Sequence, residues 1–295
     1  MNSFSDEWLC LREPLDVASR SAELAAIVAQ AVRPIESRDL PIHVVDLGAG
    51  TGANLRYLAP LLGGFQDWLL AEGDPLLLGA LGDRMRIWAD SSGARVFEGE
   101  GGLIVRATRF ECHIRCVAID LATELDRVVF PKRCLLTASA LLDLVSEDWL
   151  AGLAQRSMNA GASVWFTLSY DGRINCNPAE PEDGNVRELF NRHQLGNKGF
   201  GPALGPSASR RAAEIFEVCG YRTRSEASDW RVKYAHQALQ RVLLDDWFDA
   251  ASEIDSDRAS QLQKWRERRL VHIESGRSEL IVGHADMIAW PNQSS

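Results

Sequence analysis

The sequence predicts an α/β fold in which helices cover both faces of a mostly parallel sheet. Apolar, β-branched runs with strand character recur along the chain, and stretches of helical periodicity separate them. Such alternation is typical of a parallel sheet with helical crossovers. The predicted core strands are residues 42–47, 68–71, 114–119, 135–138 and 163–168.

A glycine-rich turn follows the first of these strands. The strand at 42–47 runs directly into Gly48–Ala49–Gly50–Thr51–Gly52, and leucines at helical spacing begin at Leu55. Alternating glycines allow a sharp turn and a close approach of a ligand to the backbone. The helix that follows presents unpaired N–H groups to that ligand. This strand–loop–helix pattern therefore predicts a nucleoside-cofactor site.

The remaining pattern divides the chain into four parts. Residues 1–40 are predicted as an N-terminal helical cover, with a helix over 14–33 that has Pro14 in its first turn. Residues 41–170 form the cofactor-binding core, which includes a hairpin over 94–111. A polar segment rich in Gly, Pro and Asn at 171–206 is expected to be a lid or substrate insertion. Residues 207–295 complete the core with strands at 279–282 and 287–290, and carry a helical insertion at 235–276.

Composition and charge narrow the functional classes. The chain has 295 residues, of which 46% are hydrophobic and 25% charged, and this excludes a mainly disordered or fibrous protein. Its net charge of -9 disfavours a nucleic-acid partner, because polyphosphate binders usually carry a basic surface. The clearest basic cluster, Arg266, Arg268 and Arg269, is predicted to be a solvated helix face.

Location and metal content are also predicted. No apolar run reaches the roughly 18 residues of a membrane span, and the first residues do not resemble a signal peptide. The six cysteines form no CxxC pair, which indicates reduced thiols in the cytoplasm. The six histidines lack metal-ligand spacing, so no metal is expected. A small-molecule substrate is the expected partner, and a homodimer is left open.

Two cofactor classes compete for the glycine turn. Gly48, Gly50 and Ala53 satisfy the dinucleotide spacing GxGxxA. However, the additional Gly52 and the acidic Asp46 at the strand end favour a cationic ligand without phosphate, such as S-adenosylmethionine. Asp46 has a second interpretation, in which it only caps the helix or binds loop amides.

The segment VVDLGAGTGANLRYLAP resembles the first motif of the class I S-adenosylmethionine-dependent methyltransferases. The resemblance extends in motif order over residues 42–170. It implies a Rossmann-like, doubly wound sheet of seven strands with a lid insertion and extra C-terminal helices. It also implies that Glu72 holds the ribose hydroxyls and that Asp120 lies beside the adenine amino group. It further implies that Leu121 is the next main-chain donor. The fourth-strand motif, Thr137 to Asp143 with Ser139 in it, is implied to lie near the methyl group of the cofactor.

Three further residues have both a ligand-binding and a purely structural interpretation. Arg12 or Arg20 is expected to bind the methionine carboxylate, unless Glu13 or Asp16 on the same helix pairs with it. Asp120 is also a plausible turn starter. The predicted cofactor-binding residues are Asp46, Gly48, Ala49, Gly50, Gly52, Glu72, Asp120, Leu121, Ser139 and Arg12.

The catalytic candidates follow the fourth and fifth strands or lie in the insertion. They are Asp143, Tyr170, Asn191 and His193. For Tyr170 and His193, packing or a structural role is an equal alternative. The (Asn/Asp)-Pro-Pro-(Tyr/Phe) tetrapeptide of nucleobase and glutamine methylators is absent, and Ser139–Ala140–Leu141–Leu142 stands near its place.

These observations predict a cytoplasmic methyltransferase that acts on a small molecule by in-line transfer. Three alternatives remain. The first is a methyltransferase-like enzyme that cyclises S-adenosylmethionine itself to azetidine-2-carboxylate and releases methylthioadenosine. The second is a nicotinamide-dependent oxidoreductase, and the third is a non-catalytic module that binds the cofactor.

Overall fold

Ten strands form one sheet in the computed structural model, which describes residues 5–32 and 40–292. The strands are β1 (Ile42–Leu47), β2 (Gly64–Glu72), β3 (Arg95–Gly99), β4 (Gly102–Arg106), β5 (Phe110–Ala118), β6 (Leu135–Ser139), β7 (Ser163–Asn177), β8 (Tyr221–Ala227), β9 (Trp230–Val232) and β10 (Glu279–Pro291).

Helices flank the sheet on both faces. Within the described residues they are α1 (Asp6–Ser19), α2 (Ala22–Ala31), α3 (Ala53–Leu62), α4 (Pro75–Ser92), α5 (Leu121–Glu124), α6 (Glu147–Ala160), α7 (Asp183–Gln194), α8 (Ala208–Val218), α9 (Gln237–Ile254) and α10 (Ala259–Glu274).

The order of the strands confirms the predicted fold class. The sheet runs β3-β4-β5-β2-β1-β6-β7-β10-β8, with β9 paired to β10. Strands β5, β2, β1, β6 and β7 are parallel, whereas β10 is antiparallel to both β7 and β8. The seven strands from β5 to β8 are those expected of the class I methyltransferase type. The β3–β4 hairpin, predicted at 94–111, and the short β9 extend the sheet beyond seven strands.

Alternating side chains on the central strands bury both faces of the sheet. On β7, Trp165 packs with Leu55 and Trp68 on one face, and Phe166 packs with Leu136 and Phe216 on the other. Successive residues of a strand point to opposite faces, so each strand contributes to two cores. This burial fixes the register of the parallel strands and therefore aligns their carboxyl ends.

The N-terminal cover consists of two helices, so the single helix predicted over 14–33 is wrong. Ser5 caps α1 by accepting a hydrogen bond from the Trp8 N–H at 3.1 Å, so the helix begins well before Pro14. Ser21 then caps α2 through the Leu24 N–H, and the chain bends at Arg20 between the two caps. The end of the predicted helix, Arg33, lies outside the described residues.

The predicted insertion at 171–206 has more regular structure than its composition indicates. Strand β7 continues through residue 170 to Asn177, and α7 occupies Asp183–Gln194. A third apolar cluster joins these elements to α9 and α10, which match the predicted helical insertion at 235–276. Its large members include Leu189, Trp230, Trp247 and Trp265.

The predicted solvated arginine face on α10 is only partly solvated. Arg269 is 2% exposed and donates to the Pro178 carbonyl oxygen. Arg268 pairs with Glu180 and Glu182 on the segment between β7 and α7. These contacts hold α10 to the extended end of β7, a role that spacing along the helix did not reveal.

No helix in the described ranges is long and apolar enough to cross a bilayer. All six cysteines are free thiols.

Candidate functional site

The glycine turn lies at the carboxyl ends of the parallel strands, and the region between it and the ends of β2, β5 and β6 is here called the crevice. Gly50 and Gly52 adopt φ values of +54° and +82°, in the left-handed region that favours glycine. A Cβ on Gly52 would lie 2.8 Å from Cδ1 of Leu81, so glycine is required there for packing as well. Gly52 is also the N-cap residue of α3, so the turn leads directly into the unpaired N–H groups of that helix.

Glu72 ends β2 beside the turn. Its Oε2 atom accepts a hydrogen bond of 2.8 Å from the Gly50 N–H, and its Oε1 atom accepts one of 2.9 Å from the Asp74 N–H. Each carboxylate oxygen can accept a second hydrogen bond, so Glu72 can still bind a diol. Asp74 itself caps α4 by accepting from the Leu76 N–H, as an Asp before Pro75 predicts.

Asp120 and Leu121 lie next to Glu72. The Ile119 N–H donates to the Glu72 carbonyl oxygen at 2.9 Å, so the chain that leaves β5 runs beside the end of β2. Asp120 is exposed and caps α5 by accepting from the Ala122 N–H at 2.9 Å. The turn-starting alternative for Asp120 is therefore realised, and its exposed position also leaves it available to a ligand. Leu121 is buried.

Asp46 lies at the base of the crevice and is 1% exposed. Its Oδ1 atom accepts a 2.9 Å hydrogen bond from Asn54 Nδ2, which also donates to Thr137 Oγ1 at 2.9 Å. Its Oδ2 atom is buried and has no partner within the described ranges. Burial raises the pKa of Asp46 to about 7, and the Asn54 bond and the charge of Arg20 oppose that rise. A buried carboxylate oxygen without a partner is unusual and indicates a place for a ligand.

Arg20 reaches the same crevice from the end of α1. It donates to Asn54 Oδ1 at 2.7 Å and to Ser139 Oγ at 3.1 Å, and its guanidinium lies 4.5 Å from the ring centre of Tyr57. Its Nε atom is buried with no partner in the part of the chain that the structure describes. Arg20 therefore connects the predicted Ser139 to Asp46 through Asn54.

Arg12 lies elsewhere and is already paired. It donates to both carboxylate oxygens of Asp16, at 2.9 and 3.3 Å, and its guanidinium lies 5.2 Å from the ring centre of Trp230. Asp16 also accepts from Trp230 Nε1 at 3.0 Å. Arg12 is therefore paired with Asp16, which is the alternative to carboxylate binding that the sequence left open. Arg20, and not Arg12, lies near the glycine turn.

Tyr170 and Asn191 meet on the insertion side. The Tyr170 hydroxyl donates to Asn191 Oδ1 at 2.7 Å, and Asn191 Nδ2 donates to the Gly172 carbonyl oxygen at 3.0 Å. Asp143 is buried, and its Oδ1 atom has no partner among the described residues. Burial raises the pKa of Asp143 to about 6, against hydrogen bonds from its own backbone and that of Tyr170 and the charges of Arg12 and Lys198.

His193 does not join this cluster. Its Nε2 atom lies 3.1 Å from Glu253 Oε2, and its Nδ1 atom lies 3.3 Å from Lys198 Nζ. Because His193 follows Asn191 by two positions on α7, its imidazole points to a different side of the helix. A predicted catalytic role for His193 therefore gains no geometric support.

Two residues of β10 complete the site and were not predicted. Asp286 is fully buried and accepts hydrogen bonds of 2.9 Å from the N–H groups of Leu168 and Ser21. Leu168 has a φ of +56°, which is rare for a side chain with a Cβ and is typical of functional regions. His284 is also buried, and burial lowers its pKa to about 3, so it is neutral. Its ring centre lies 6.2 Å from that of Tyr170.

No protein-family model and no curated protein matches the chain. Solved structures of similar fold were found. One is a cyclopropane synthase from Mycobacterium tuberculosis, 11% identical over 97% of this chain and 94% of that chain, with a TM-score of 0.47. Another is a cyclopropane-fatty-acyl-phospholipid synthase-like protein from Lactobacillus casei, 14% identical over 97% and 94%, with a TM-score of 0.47. A third is a methyltransferase from Thiobacillus denitrificans in complex with S-adenosyl-L-homocysteine, 13% identical over 97% and 98%, with a TM-score of 0.43.

The residues that sequence reasoning missed share one feature, which is a polar side chain at a buried position of a core element. Asn54 lies on the apolar face of α3. Asp286 interrupts an apolar run on β10. Buried polar side chains need partners, so an acidic residue flanked by two apolar strand segments, 279–282 and 287–290, was an available signal.

Proposed function

We propose that this protein is an S-adenosylmethionine-dependent methyltransferase that acts on a small molecule. One observation carries the proposal. Beside the glycine turn, Glu72 is held in place by the Gly50 N–H, while Asp46 keeps a buried carboxylate oxygen without a described partner. A ribose diol satisfies the free lone pairs of Glu72, and a positively charged group satisfies Asp46.

The same pair of carboxylates disfavours a dinucleotide. A pyrophosphate would bring negative charge to the turn in front of the buried Asp46. A cationic ligand has the opposite effect, because it stabilises the ionised form of Asp46 and lowers its raised pKa. The donor and acceptor set of the crevice therefore fits a sulfonium nucleoside better than it fits NAD.

We assign the following residues to the ligand. Glu72 would hold the ribose, Asp120 and Leu121 the adenine, and Asp46 with Arg20 the amino-acid part. The bound ligand supplies a methyl group that its sulfonium activates for transfer. Arg20 suits a carboxylate because its buried Nε has no described partner, whereas Arg12 would first have to release Asp16.

The acceptor would lie on the insertion side, against Tyr170, Asn191 and Asp143. Tyr170 and Asn191 form a fixed hydrogen-bonded pair that can orient an acceptor by direct contact. Asp143 has a buried oxygen without a described partner, and its pKa is raised to about 6, which suits it to take a proton from the nucleophile. We propose no proton-transfer role for His193, because it faces Glu253 and Lys198.

Burial on the insertion side favours one second candidate. Tyr170, Asp143 and His284 are each less than a tenth exposed, which leaves them little surface to offer a separate acceptor. In the cyclisation alternative, the substrate's own amino nitrogen forms a bond to its Cγ, and the Cγ–S bond breaks with both electrons staying on sulfur. Methylthioadenosine leaves, and the amine proton passes to a base such as Asp143.

Binding and product analysis together test these proposals. Titration calorimetry with S-adenosylhomocysteine is expected to show saturable binding, and NAD is expected to show none. NAD binding, or no binding of any adenosyl ligand, would overturn the proposal.

Mass spectrometry after incubation with S-adenosylmethionine then separates the candidates. S-adenosylhomocysteine formed only when an acceptor is added supports methyl transfer, and methylthioadenosine formed without an acceptor supports cyclisation. Binding without either product would indicate a non-catalytic module.

A further inference from the structure

Helix α1 covers one half of the crevice. A Cβ on Gly50 would lie 3.1 Å from Cδ1 of Leu9, so this leucine rests on the glycine turn. Thr51 and Asp46 are each 1% exposed beneath this cover. At the other end of the crevice Asp120 is exposed and Glu72 is half-buried. The residues that we assign to the nucleoside are therefore the more exposed ones, and those that we assign to the amino-acid part are buried beneath α1.

Two ion pairs join α1 to the helices that flank the glycine turn. Near its start, Asp6 pairs with Arg84 of α4, with Oδ1 of Asp6 2.8 Å from Nε of Arg84. Two turns later, Glu13 pairs with Arg56 of α3 through two hydrogen bonds of 2.7 and 2.6 Å. Both acidic residues lie on one face of the helix, since they are separated by two helical turns.

The second ion pair is also linked to the glycine turn itself. Arg56 Nη1 donates to the Thr51 carbonyl oxygen at 2.5 Å, while its other nitrogens bind Glu13. The Arg56 side chain is 5% exposed, so it is held firmly between the turn and α1. Lifting α1 therefore requires that both acidic residues release their arginines.

We propose that α1 is a latched cover, and that the Asp6–Arg84 and Glu13–Arg56 pairs set the rate at which a ligand with an amino-acid tail enters the site. This inference rests on the proposed function, because it uses the assigned direction of the ligand. A nucleoside without that tail occupies only the more exposed end and enters without lifting α1. The latch thus discriminates between S-adenosylhomocysteine and 5′-methylthioadenosine by rate of entry.

Stopped-flow fluorescence tests the latch on the full chain. Trp8 reports on α1, because it lies on that helix with its ring centre 6.4 Å from that of Trp230. Trp149 reports on the end that both ligands occupy, because its Nε1 atom donates to the Leu121 carbonyl oxygen at 2.7 Å. In Asp6→Asn and Glu13→Gln, the association rate of S-adenosylhomocysteine is expected to rise by about two- to fivefold, and by about tenfold in the double variant. The association rate of 5′-methylthioadenosine is expected to stay at the wild-type value in every variant.

The matched control is Glu7→Gln, which removes the same charge from the same helix. Glu7 is exposed and makes no ion pair within residues 5–32 and 40–292, so both rates should equal those of the wild type. Thermal unfolding verifies that all variants are folded. Equal association rates for S-adenosylhomocysteine in all variants, or equal acceleration of both ligands, would overturn the latch alone. Failure of both ligands to bind the wild type would overturn the proposed function, and the latch with it.

Ionic strength provides a second measurement. S-adenosylhomocysteine has no net charge, so screening acts mainly on the latch rather than on long-range attraction of the ligand. Raising salt from about 0.05 to about 0.5 M should accelerate its association with the wild type. The double variant should show little change, and the same salt response in both proteins would count against the latch.

Discussion

The Gly50 N–H and Glu72 Oε2, which belong to the carboxyl ends of adjacent parallel strands, are joined by a hydrogen bond of 2.8 Å. The bond fixes the Glu72 carboxylate against the glycine turn before any ligand arrives. Preorganisation of this kind lowers the cost of ordering a binding group when the ligand binds. Glu72 is therefore the first residue at which the proposed site should be tested.

Substitution of Glu72 should weaken ligand binding strongly. In Glu72→Ala, we expect the affinity for S-adenosylhomocysteine to fall by about 10- to 100-fold, because charge-assisted hydrogen bonds to the ribose are lost. Titration calorimetry measures this change. Asp67→Asn is the control, because Asp67 lies on the same strand and pairs with Arg115 instead. An affinity in Glu72→Ala equal to that of the wild type would remove Glu72 from the site.

The raised pKa of Asp46 predicts a pH dependence of stability. The folded protein holds a proton on Asp46 up to about pH 7, whereas in an unfolded chain the carboxyl has its ordinary pKa of 3.8. The stabilising contribution is therefore complete at acidic pH and is lost as the pH rises through about 7. Relative to Asp46→Asn, the wild type should lose on the order of 4 kcal/mol in free energy of unfolding between acidic and mildly alkaline pH.

Urea unfolding of both proteins across this pH range checks the prediction. Taking the difference between the two proteins removes most of the contribution of Asp143, whose pKa is raised in the same direction. A difference that does not vary with pH would show that Asp46 does not titrate in this range.

Two glycines test the packing of the turn. Gly52→Ala should reduce the free energy of unfolding by about 1–3 kcal/mol, because φ is +82° and the new Cβ would press on Leu81. Gly79→Ala is the matched control. Gly79 lies inside α4 with no atom within 4 Å of a new Cβ, so stability should rise by about 0.5–1 kcal/mol. Chemical denaturation distinguishes the two directions.

Tyr170 should affect turnover more than ligand binding. In Tyr170→Phe, the hydroxyl bond to Asn191 is lost, and kcat should fall by about 10- to 100-fold while affinity for S-adenosylhomocysteine stays unchanged. The cost in stability should be about 1 kcal/mol. Tyr234→Phe, at an exposed tyrosine, serves as the control. A parallel loss of kcat and of ligand affinity would indicate that Tyr170 supports the cofactor side instead.

The central strands and the glycine turn could be predicted because their signals are local. Apolar runs predicted the parallel strands, and the Asp74–Pro75 pair predicted the N-cap of α4. The break at Arg20 between α1 and α2 was missed. Ser21 is the N-cap of α2, but a serine within a helical pattern does not by itself indicate that a new helix begins there. Helix α7 was also missed, because its two buried residues, Val186 and Leu189, stand among polar residues and give only a weak helical pattern.

The polar network beneath α1 depends on long-range contacts that no spacing along the chain reveals. Arg20 meets Ser139 across more than a hundred residues, and Asp286 meets Ser21 across a still longer span. Arg12 and Arg20 were equivalent candidates in the sequence, because both lie near the acidic residues Glu13 and Asp16. The fold distinguishes them, because Arg12 forms an ion pair with Asp16 and Arg20 does not.

Strand β10 lies between β7 and β8 although it comes last in chain order. During translation, a nascent chain that lacks residues 279–291 has no partner for the adjoining edges of β7 and β8. It also lacks Asp286, the acceptor for the Leu168 and Ser21 N–H groups. Ribosome-bound intermediates would therefore expose long unpaired edges, which are prone to aggregation. Production in the cell should respond to holdase chaperones that shield such edges until synthesis of this strand is complete.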